Sequence, residues 1–283
     1  MATEIFQRTP LTEKIGGSFA YLILIFWAIL SFIPLTWLFI TAFTPQDFIV
    51  RMPPKVNFSL LSLVNFINLF ERGQVFRWFL NSFYIACLVT SFNLFFSSLA
   101  GYTLAKKVFP GRNVIFWMII STMMIPGQVT LVPVFIMMTN FKLLDTHAAL
   151  ILPQIVSVFS IFLMKQYIQT LPSELEDAAR IDGCSEFSVF WRIILPLCRP
   201  VLAVLGIFVF VANWNNFLWP LIMLNTPSKF TIQVGLATLQ EQFATDYGIL
   251  MAGAAFAAVP MIIVFLSFQK HFIKGLTIGG VKG

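Results

Sequence analysis

The sequence predicts an all-α polytopic membrane protein with six transmembrane helices. Hydrophobic residues make up 58% of the 283 residues and charged residues only 11%, which is too apolar for one soluble domain with a polar surface. The charges fall between six long uncharged runs, and a helix needs about 20 apolar residues to cross a bilayer. In chain order these runs are 15–46, 78–105, 113–141, 148–164, 200–228 and 247–269.

Two of the six runs differ in length from a typical membrane span. The first is 32 residues long and has no A-x-A site near its end, which favours a membrane span over a cleaved signal peptide. The fourth has only 17 residues, which is about 26 Å of helix. Lys165 can extend its charged end to the interface, so we expect this span to continue to about Tyr167.

Prolines interrupt several of the predicted spans. The stretch MMIPGQVTLVP, residues 123–133, has Pro-Gly at its centre. A proline removes a backbone donor and bends a helix, which lipid tolerates where other protein or a wet cavity satisfies the freed carbonyl. The stretch therefore indicates either a broken helix that faces other protein or an ordinary proline kink.

Lys and Arg predict the orientation of the chain. If both termini are cytoplasmic, most of the 18 Lys and Arg residues lie inside, in agreement with the positive-inside rule. The terminal segments 1–14 and 272–283 are then cytoplasmic, and residues 15–271 form the transmembrane domain. Within this domain, residues 168–198 form a cytoplasmic loop. Anionic lipid and this bias explain the net charge of +6 without nucleic acid.

The cytoplasmic loop contains a polar interruption, EDAARIDGCSEFSVFWRIILP, residues 176–196. Ser173 and Glu176 have the spacing of a capping box, and Gly183 suits the left-handed position that ends a helix. Ser185 can cap a second helix, which Pro196 closes. One face of this second helix is apolar by its spacing and consists of Phe187, Phe190, Trp191 and Ile194.

The first of these two helices is short and only weakly apolar. About nine residues cannot form a stable helix alone in water, so the helix must lie against something. Its small alanines permit close approach, and exposed acids offer ion pairs to a basic partner. The sequence leaves open whether that surface belongs to a partner or to the rest of this chain.

The spacing of Asp177-Ala178-Ala179, Gly183, Ile193 and Leu195-Pro196 resembles the cytoplasmic EAA loop of importer-type ABC transporter permeases. Asp177 stands where that family most often has Glu. Further stretches are similar to the smaller membrane subunit of maltose-type importers, in the carbohydrate-uptake branch of the family. These stretches are NSFYIACLVTSFNLFFSSLAGYTLAK, MIPGQVTLVPVF, NWNNFLWPLIML and HFIKGLTIGGVKG.

This resemblance implies a six-span permease domain whose loop forms a coupling helix in a groove of an ATPase. The expected coupling residues are Glu176, Asp177, Ala178, Ala179, Asp182 and Gly183. The C-terminal tail is expected to approach the ATPase dimer through Gly279, Gly280, Val281, Lys282 and Gly283.

The resemblance also implies the partners of the chain in a bacterial inner membrane. These are a homologous permease subunit, two ATP-binding subunits, an extracytoplasmic solute-binding protein, membrane lipid and a sugar-like substrate. ATP and Mg would be bound by the ATPase, and this chain would bind no cofactor and catalyse no reaction.

Amides and indoles cluster in the fifth predicted span, in NWNNFLWP. They are Asn213, Trp214, Asn215, Asn216 and Trp219. Amides beside indoles suit sugar hydroxyls and the apolar faces of pyranose rings. The same residues can instead form hydrogen bonds between helices and anchor the interface, and the sequence leaves both roles open.

Other functional classes lack the residues that they need. An ion-driven secondary transporter, the alternative function, usually has an ionisable residue at mid-membrane, and the uncharged runs contain none. There is no HExxH or GxSxG motif, and His147 and His271 lie at span ends, which favours interface anchoring over metal binding. The tail GLTIGGVKG does not match a phosphate loop. We therefore predict no catalytic and no metal-binding residue.

Overall fold

The computed structural model describes residues 11–49, 60–242 and 246–278, and all the regular elements in these ranges are helical. The helices are α1 (Leu11–Phe43), α2 (Gln46–Ile49), α3 (Val64–Arg72), α4 (Val75–Lys106), α5 (Arg112–Ser121), α6 (Gly127–Asn140), α7 (His147–Ile151), α8 (Val158–Gln169), α9 (Glu174–Ile181), α10 (Glu186–Val189), α11 (Leu195–Leu197), α12 (Arg199–Trp214), α13 (Leu218–Met223), α14 (Ile232–Gln242) and α15 (Tyr247–Ile278).

Within the described ranges, four stretches are long and apolar enough to cross a membrane, and two bent pairs bring the total to six if each pair is one span. The four are Ala20–Phe43, Val75–Lys106, His147–Gln169 and Tyr247–Phe268. The prediction of an all-α polytopic membrane protein is confirmed. The count of six is reached by including the two bent pairs.

The third predicted span is broken rather than kinked. Its halves, Arg112–Met124 and Gly127–Asn140, meet at 102°. Ile125 and Pro126 between them have extended backbone, with ψ of 116° and 133°. A proline disfavours helical backbone at the residue before it, so the Pro-Gly centre of this stretch ends the first half.

The fifth predicted span, 200–228, is wrong as a single helix. Helix α12 ends at Trp214, and the next helix, α13, is only six residues long. Asn side chains compete with the helix for backbone hydrogen bonds, and Asn213, Asn215 and Asn216 stand at this end. At its other end α12 meets the segment Glu186–Leu197 at 79°.

The chain divides into two compact units. In the first, described over residues 11–49, 60–71 and 246–256, Asn65 joins the end of α1 to α3. Its buried amide donates hydrogen bonds to the carbonyls of Ala42, at 3.0 Å, and Thr44, at 2.7 Å. A Cβ on Gly248 would lie 2.5 Å from the Asn65 Oδ1, so only glycine permits the start of α15 to approach this closely.

The second unit, described over 72–242 and 257–278, is built around α4, which packs against α8 and α12. A Cβ on Gly101 of α4 would lie 2.7 Å from the Met164 Cβ and 2.9 Å from the Lys165 backbone nitrogen. Small residues allow such close packing between membrane helices. The backbones of α4 and α8 therefore lie almost in contact at Gly101.

Lys165 packs inside the protein and does not extend into solvent. Its side chain is buried, and the Nζ lies 3.9 Å from the centre of the Phe116 ring. A cation over an aromatic face is stabilised by the ring quadrupole. The helix α8 nevertheless continues past Tyr167 to Gln169.

Candidate functional site

The polar interruption folds as two helices joined by a tight turn, as predicted. Helix α9 ends in a Schellman motif, in which the Gly183 amide donates to the Arg180 carbonyl at 3.0 Å and the Cys184 amide to the Ala179 carbonyl at 2.9 Å. Gly183 has φ of +80°, a conformation that costs residues with a Cβ free energy. Its predicted left-handed position is confirmed.

The predicted capping box at the start of α9 is wrong. Ser173 has helical backbone and its hydroxyl caps no amide. The hydroxyl instead lies 3.1 Å from the Lys106 Nζ, which also donates to the Leu171 carbonyl at 2.5 Å. The contact with Lys106 spans 67 residues of sequence, so a long-range partner replaces the local one.

The second helix begins at the predicted cap, where the Ser185 hydroxyl accepts from the Ser188 amide at 3.3 Å. It continues from α10 through a π-helical turn, Phe190–Ile194, to α11. Its predicted apolar face is only half right. Phe190 and Ile194 are buried together with Val189, whereas Phe187 and Trp191 are exposed and stack on each other with ring centres 6.4 Å apart.

Glu176 is buried at the centre of an ion cluster between α9 and the end of α4. Its Oε2 accepts hydrogen bonds from the Tyr102 hydroxyl at 3.1 Å and from Arg180 at 3.2 Å. The Lys106 Nζ lies 3.7 Å from Oε1, and the Lys107 Nζ 4.0 Å from Oε2. The expectation that the acids of this helix are exposed is therefore wrong for Glu176, which is 2% exposed.

Glu186, at the start of α10, extends the same cluster. It accepts hydrogen bonds from Lys107 and, at 3.0 Å, from the Arg180 Nε. The hydrogen bond from Lys107, followed by that from Arg180, lowers the pKa of Glu186 below its ordinary value. Three helices, α4, α9 and α10, are thus joined by one network of opposite charges.

The outward face of α9 is partly apolar. Ile181 is 87% exposed, Leu175 is 41% exposed, and Ala178 is exposed beside them. Asp177 is also exposed but forms an ion pair of 2.8 Å with Arg180.

The other predicted coupling residues divide between the two sides of the loop. Asp182 and Gly183 are exposed, whereas Ala179 is buried. Glu176 and Ala179 therefore face the protein, and the remaining four predicted coupling residues face outward. The tail residues 279–283 lie outside the described residues.

The structure brings only two of the five predicted substrate-path residues to one cleft. Asn216 and Trp219 line a cleft of about 430 Å³ together with residues of α6 that include Gln128 and Thr130. The Trp219 indole also donates to the Ala149 carbonyl at 3.0 Å. The cleft therefore lies beside the break between α5 and α6.

The other three predicted substrate-path residues have contacts of their own. Trp214 is buried, and its Nε1 donates to the Ala257 carbonyl at 3.2 Å. The Asn213 amide donates to the Val209 carbonyl at 2.9 Å within its own helix. Asn215 is exposed and its amide lies 3.9 Å from the Met261 sulfur. Of the two roles that the sequence leaves open, the contacts of Trp214 therefore favour helix packing over substrate contact.

A second polar cluster, at Asp145, was not found from the sequence. Asp145 has φ of +56°, and its carboxylate accepts from the amides of Asn225 and Thr226, both at 3.0 Å, and from the Lys229 Nζ at 2.8 Å. Partial burial alone would raise the pKa of Asp145, but the hydrogen bonds from Lys229, Thr226 and Asn225 lower it well below its ordinary value of 3.8. Its partners lie 80 to 84 residues away, so the sequence carries no local signal for them.

Among the residues that the structure describes, no three His, Cys, Asp or Glu side chains are grouped closely enough to hold a metal ion. The three cysteines in these ranges are free thiols.

Comparison with known proteins identifies the family. A model of binding-protein-dependent transport system inner membrane components matches residues 94–278. The chain is 42% identical over 277 residues to an arabinooligosaccharides transport system permease protein of Halalkalibacterium halodurans, covering 96% of this chain and 99% of the relative. It is 35% identical over 276 residues to a lactose transport system permease protein of Rhizobium radiobacter, covering 98% and 100%.

The fold is shared with a solved structure. A chain in the crystal structure of a bacterial ABC transporter involved in the import of the acidic polysaccharide alginate superposes with a TM-score of 0.84, at 22% identity, over 93% of this chain and 99% of the other. Because the family model matches more than half of its length, the chain belongs to the family of binding-protein-dependent transport system inner membrane components.

Proposed function

We propose that this chain is the permease subunit of an ATP-driven importer for a sugar or a related polyol or glycoside. The observation that carries the proposal is its identity over nearly full length to transport permeases named for arabinooligosaccharides and lactose. It would form half of the translocation pathway beside a homologous permease, receive substrate from an extracytoplasmic binding protein, and leave ATP binding and hydrolysis to two partner ATPase subunits.

Residues 173–196 would contact the ATPase in this proposal. The apolar side chains of Leu175 and Ile181 point outward from a helix of eight residues, and burial of such side chains in a partner is favourable. Asp182 and Asp177, which is paired with Arg180, add exposed carboxylates. A groove with an apolar floor and a basic rim would therefore fit this surface.

The orientation follows from the same assignment. Both termini and residues 173–196 would face the cytoplasm, and the loop around Asn225 would face the extracytoplasmic side. ATP binding would close the ATPase dimer, and the permease would then change between inward-facing and outward-facing states through contacts that differ between the two.

Reconstitution in proteoliposomes tests the proposal. The permease pair, the ATPase and the binding protein are supplied together, and uptake of candidate sugars is measured with ATP inside the vesicles. We expect uptake that requires ATP, the ATPase and the binding protein. Uptake driven by a proton or sodium gradient without ATP would contradict the proposal and favour a secondary transporter.

A further inference from the structure

The long helix α4 holds a different part of the protein at each of its ends. It runs unbroken for 32 residues, which corresponds to about 48 Å of helix. At its C-terminal end lie Tyr102 and Lys106, which contact Glu176. This end of α4 is therefore fastened to the helix that we assign to ATPase coupling.

The N-terminal end of α4 holds the loop 227–232. The Trp78 indole donates to the Pro227 carbonyl at 2.7 Å, and the Asn81 amide donates to the carbonyls of Ser228 at 3.1 Å and Phe230 at 2.9 Å. Trp78 and Asn81 are both buried. These are direct hydrogen bonds from side chains of α4 to the backbone of the loop.

The contact between Glu176 and α4 resists separation. Glu176 is buried, and removing its partners would leave a buried charge unpaired, which is strongly unfavourable. Arg180 and Lys107 bind both Glu176 and Glu186, so α9 and α10 are fastened to α4 together. A displacement of α9 must then carry the end of α4 with it.

We infer that Tyr102 and Glu176 are positioning residues that transmit displacement of the coupling helix through α4 to the loop 227–232. This inference rests on the proposed function, because it assumes that the ATPase moves α9. It assigns Glu176 an inward role in place of the ATPase contact expected from the sequence. Because the single helix α4 contacts both α9 and the loop 227–232, it provides a physical connection between the two sites.

The test measures how many substrate molecules are taken up for each ATP hydrolysed, in proteoliposomes that contain the complete transporter. The variants are Glu176→Gln, Tyr102→Phe and the double variant. Glu71→Gln is the control, because it makes the same charge change at an exposed side chain outside residues 173–196. Matched amounts of permease and bound ATPase in each preparation check folding and assembly.

We expect Glu176→Gln to keep the ATPase bound and to lower the uptake-to-hydrolysis ratio about tenfold, within the range of coupling between sites in one protein. Tyr102→Phe should lower the ratio less, and the double variant should be no worse than Glu176→Gln, because both changes weaken the same contact between α9 and α4. Glu71→Gln should match the wild type.

A fluorophore on Ser228→Cys, in a chain whose native cysteines are replaced by serine, gives a second readout at the far end of α4. Its ATP-dependent signal should be lost with Glu176→Gln and kept with Glu71→Gln. An unchanged ratio and signal in Glu176→Gln would overturn the inference, as would equal losses of uptake and hydrolysis. Failure of the wild type to show ATP-dependent uptake would overturn the proposed function instead.

Discussion

Replacement of Gly183 by alanine tests whether the turn after α9 matters for ATPase binding. The residue has φ of +80°, and an added Cβ would meet no atom within 4 Å. The cost is therefore the backbone strain alone, about 1–2 kcal/mol for a residue with a Cβ in the left-handed region. A cost of about 1.4 kcal/mol changes an equilibrium constant about tenfold. Where the native turn at Gly183 is only marginally more stable than its alternatives, the fraction of molecules with this turn should therefore fall several-fold.

Two other glycines provide matched controls. Gly111 has the same φ of +80° and equally open surroundings but lies outside residues 173–196. A Cβ on Gly206 would lie 3.5 Å from the Leu94 Cδ1, an ordinary contact, and its φ is not positive. Gly111→Ala thus reproduces the strain elsewhere, and Gly206→Ala adds a methyl group without strain.

The assay is co-purification of the ATPase together with ATP-dependent uptake, at matched amounts of permease in the membrane. We expect Gly183→Ala to lower both several-fold and Gly183→Asn to lower them less, because Asn tolerates the left-handed region better. Both controls should retain ATPase binding. Normal binding and uptake in Gly183→Ala, or an equal loss in Gly111→Ala, would refute the reasoning.

Three further changes test other parts of the account. The lowered pKa of Asp145 means that its ion pair contributes stability above its ordinary pKa of 3.8, and this contribution is lost as the pH falls below that value. Asp145→Asn should therefore lower the melting temperature at pH 7 and weaken its dependence on acid, and an unchanged melting curve would count against the cluster. Gly235→Ala would place a Cβ 2.1 Å from the Trp78 ring and should lower the free energy of unfolding of the permease by about 1–3 kcal/mol. An unchanged melting temperature would contradict this close contact between Gly235 and Trp78. Asn216→Ala should raise the substrate concentration for half-maximal uptake without loss of ATPase binding, whereas unchanged uptake kinetics would remove the cleft from the substrate path.

Local signals in the sequence predicted the local features of residues 173–196. Gly183 and Ser185 act on backbone within a few residues of themselves, and both have the conformations that their residue types favour. The capping box failed because Lys106 attracts the Ser173 hydroxyl and Glu176 turns inward to Tyr102. No pattern within one helix reveals a partner that far away in sequence.

The spans show the same division between local and long-range causes. Pro126 broke the third span where the sequence placed the Pro-Gly centre, because its effect on the preceding residue is local. The uncharged run 200–228 concealed the end of α12, because hydropathy reports burial in lipid and not helix continuity. The asparagines at this end suit a sugar contact, but their side chains also compete for backbone hydrogen bonds at the end of α12.

Residue-specific crosslinking from Ile181 tests the central claim most directly, because this side chain is 87% exposed at the end of α9. A photoreactive amino acid is placed at Ile181 and, as a control, at Asn225, which is exposed in the loop assigned to the opposite side. The account predicts an adduct with the ATPase from Ile181 and none from Asn225. An ATPase adduct from Asn225, or its absence from Ile181 in an assembled and active transporter, would contradict the assignment of the coupling surface.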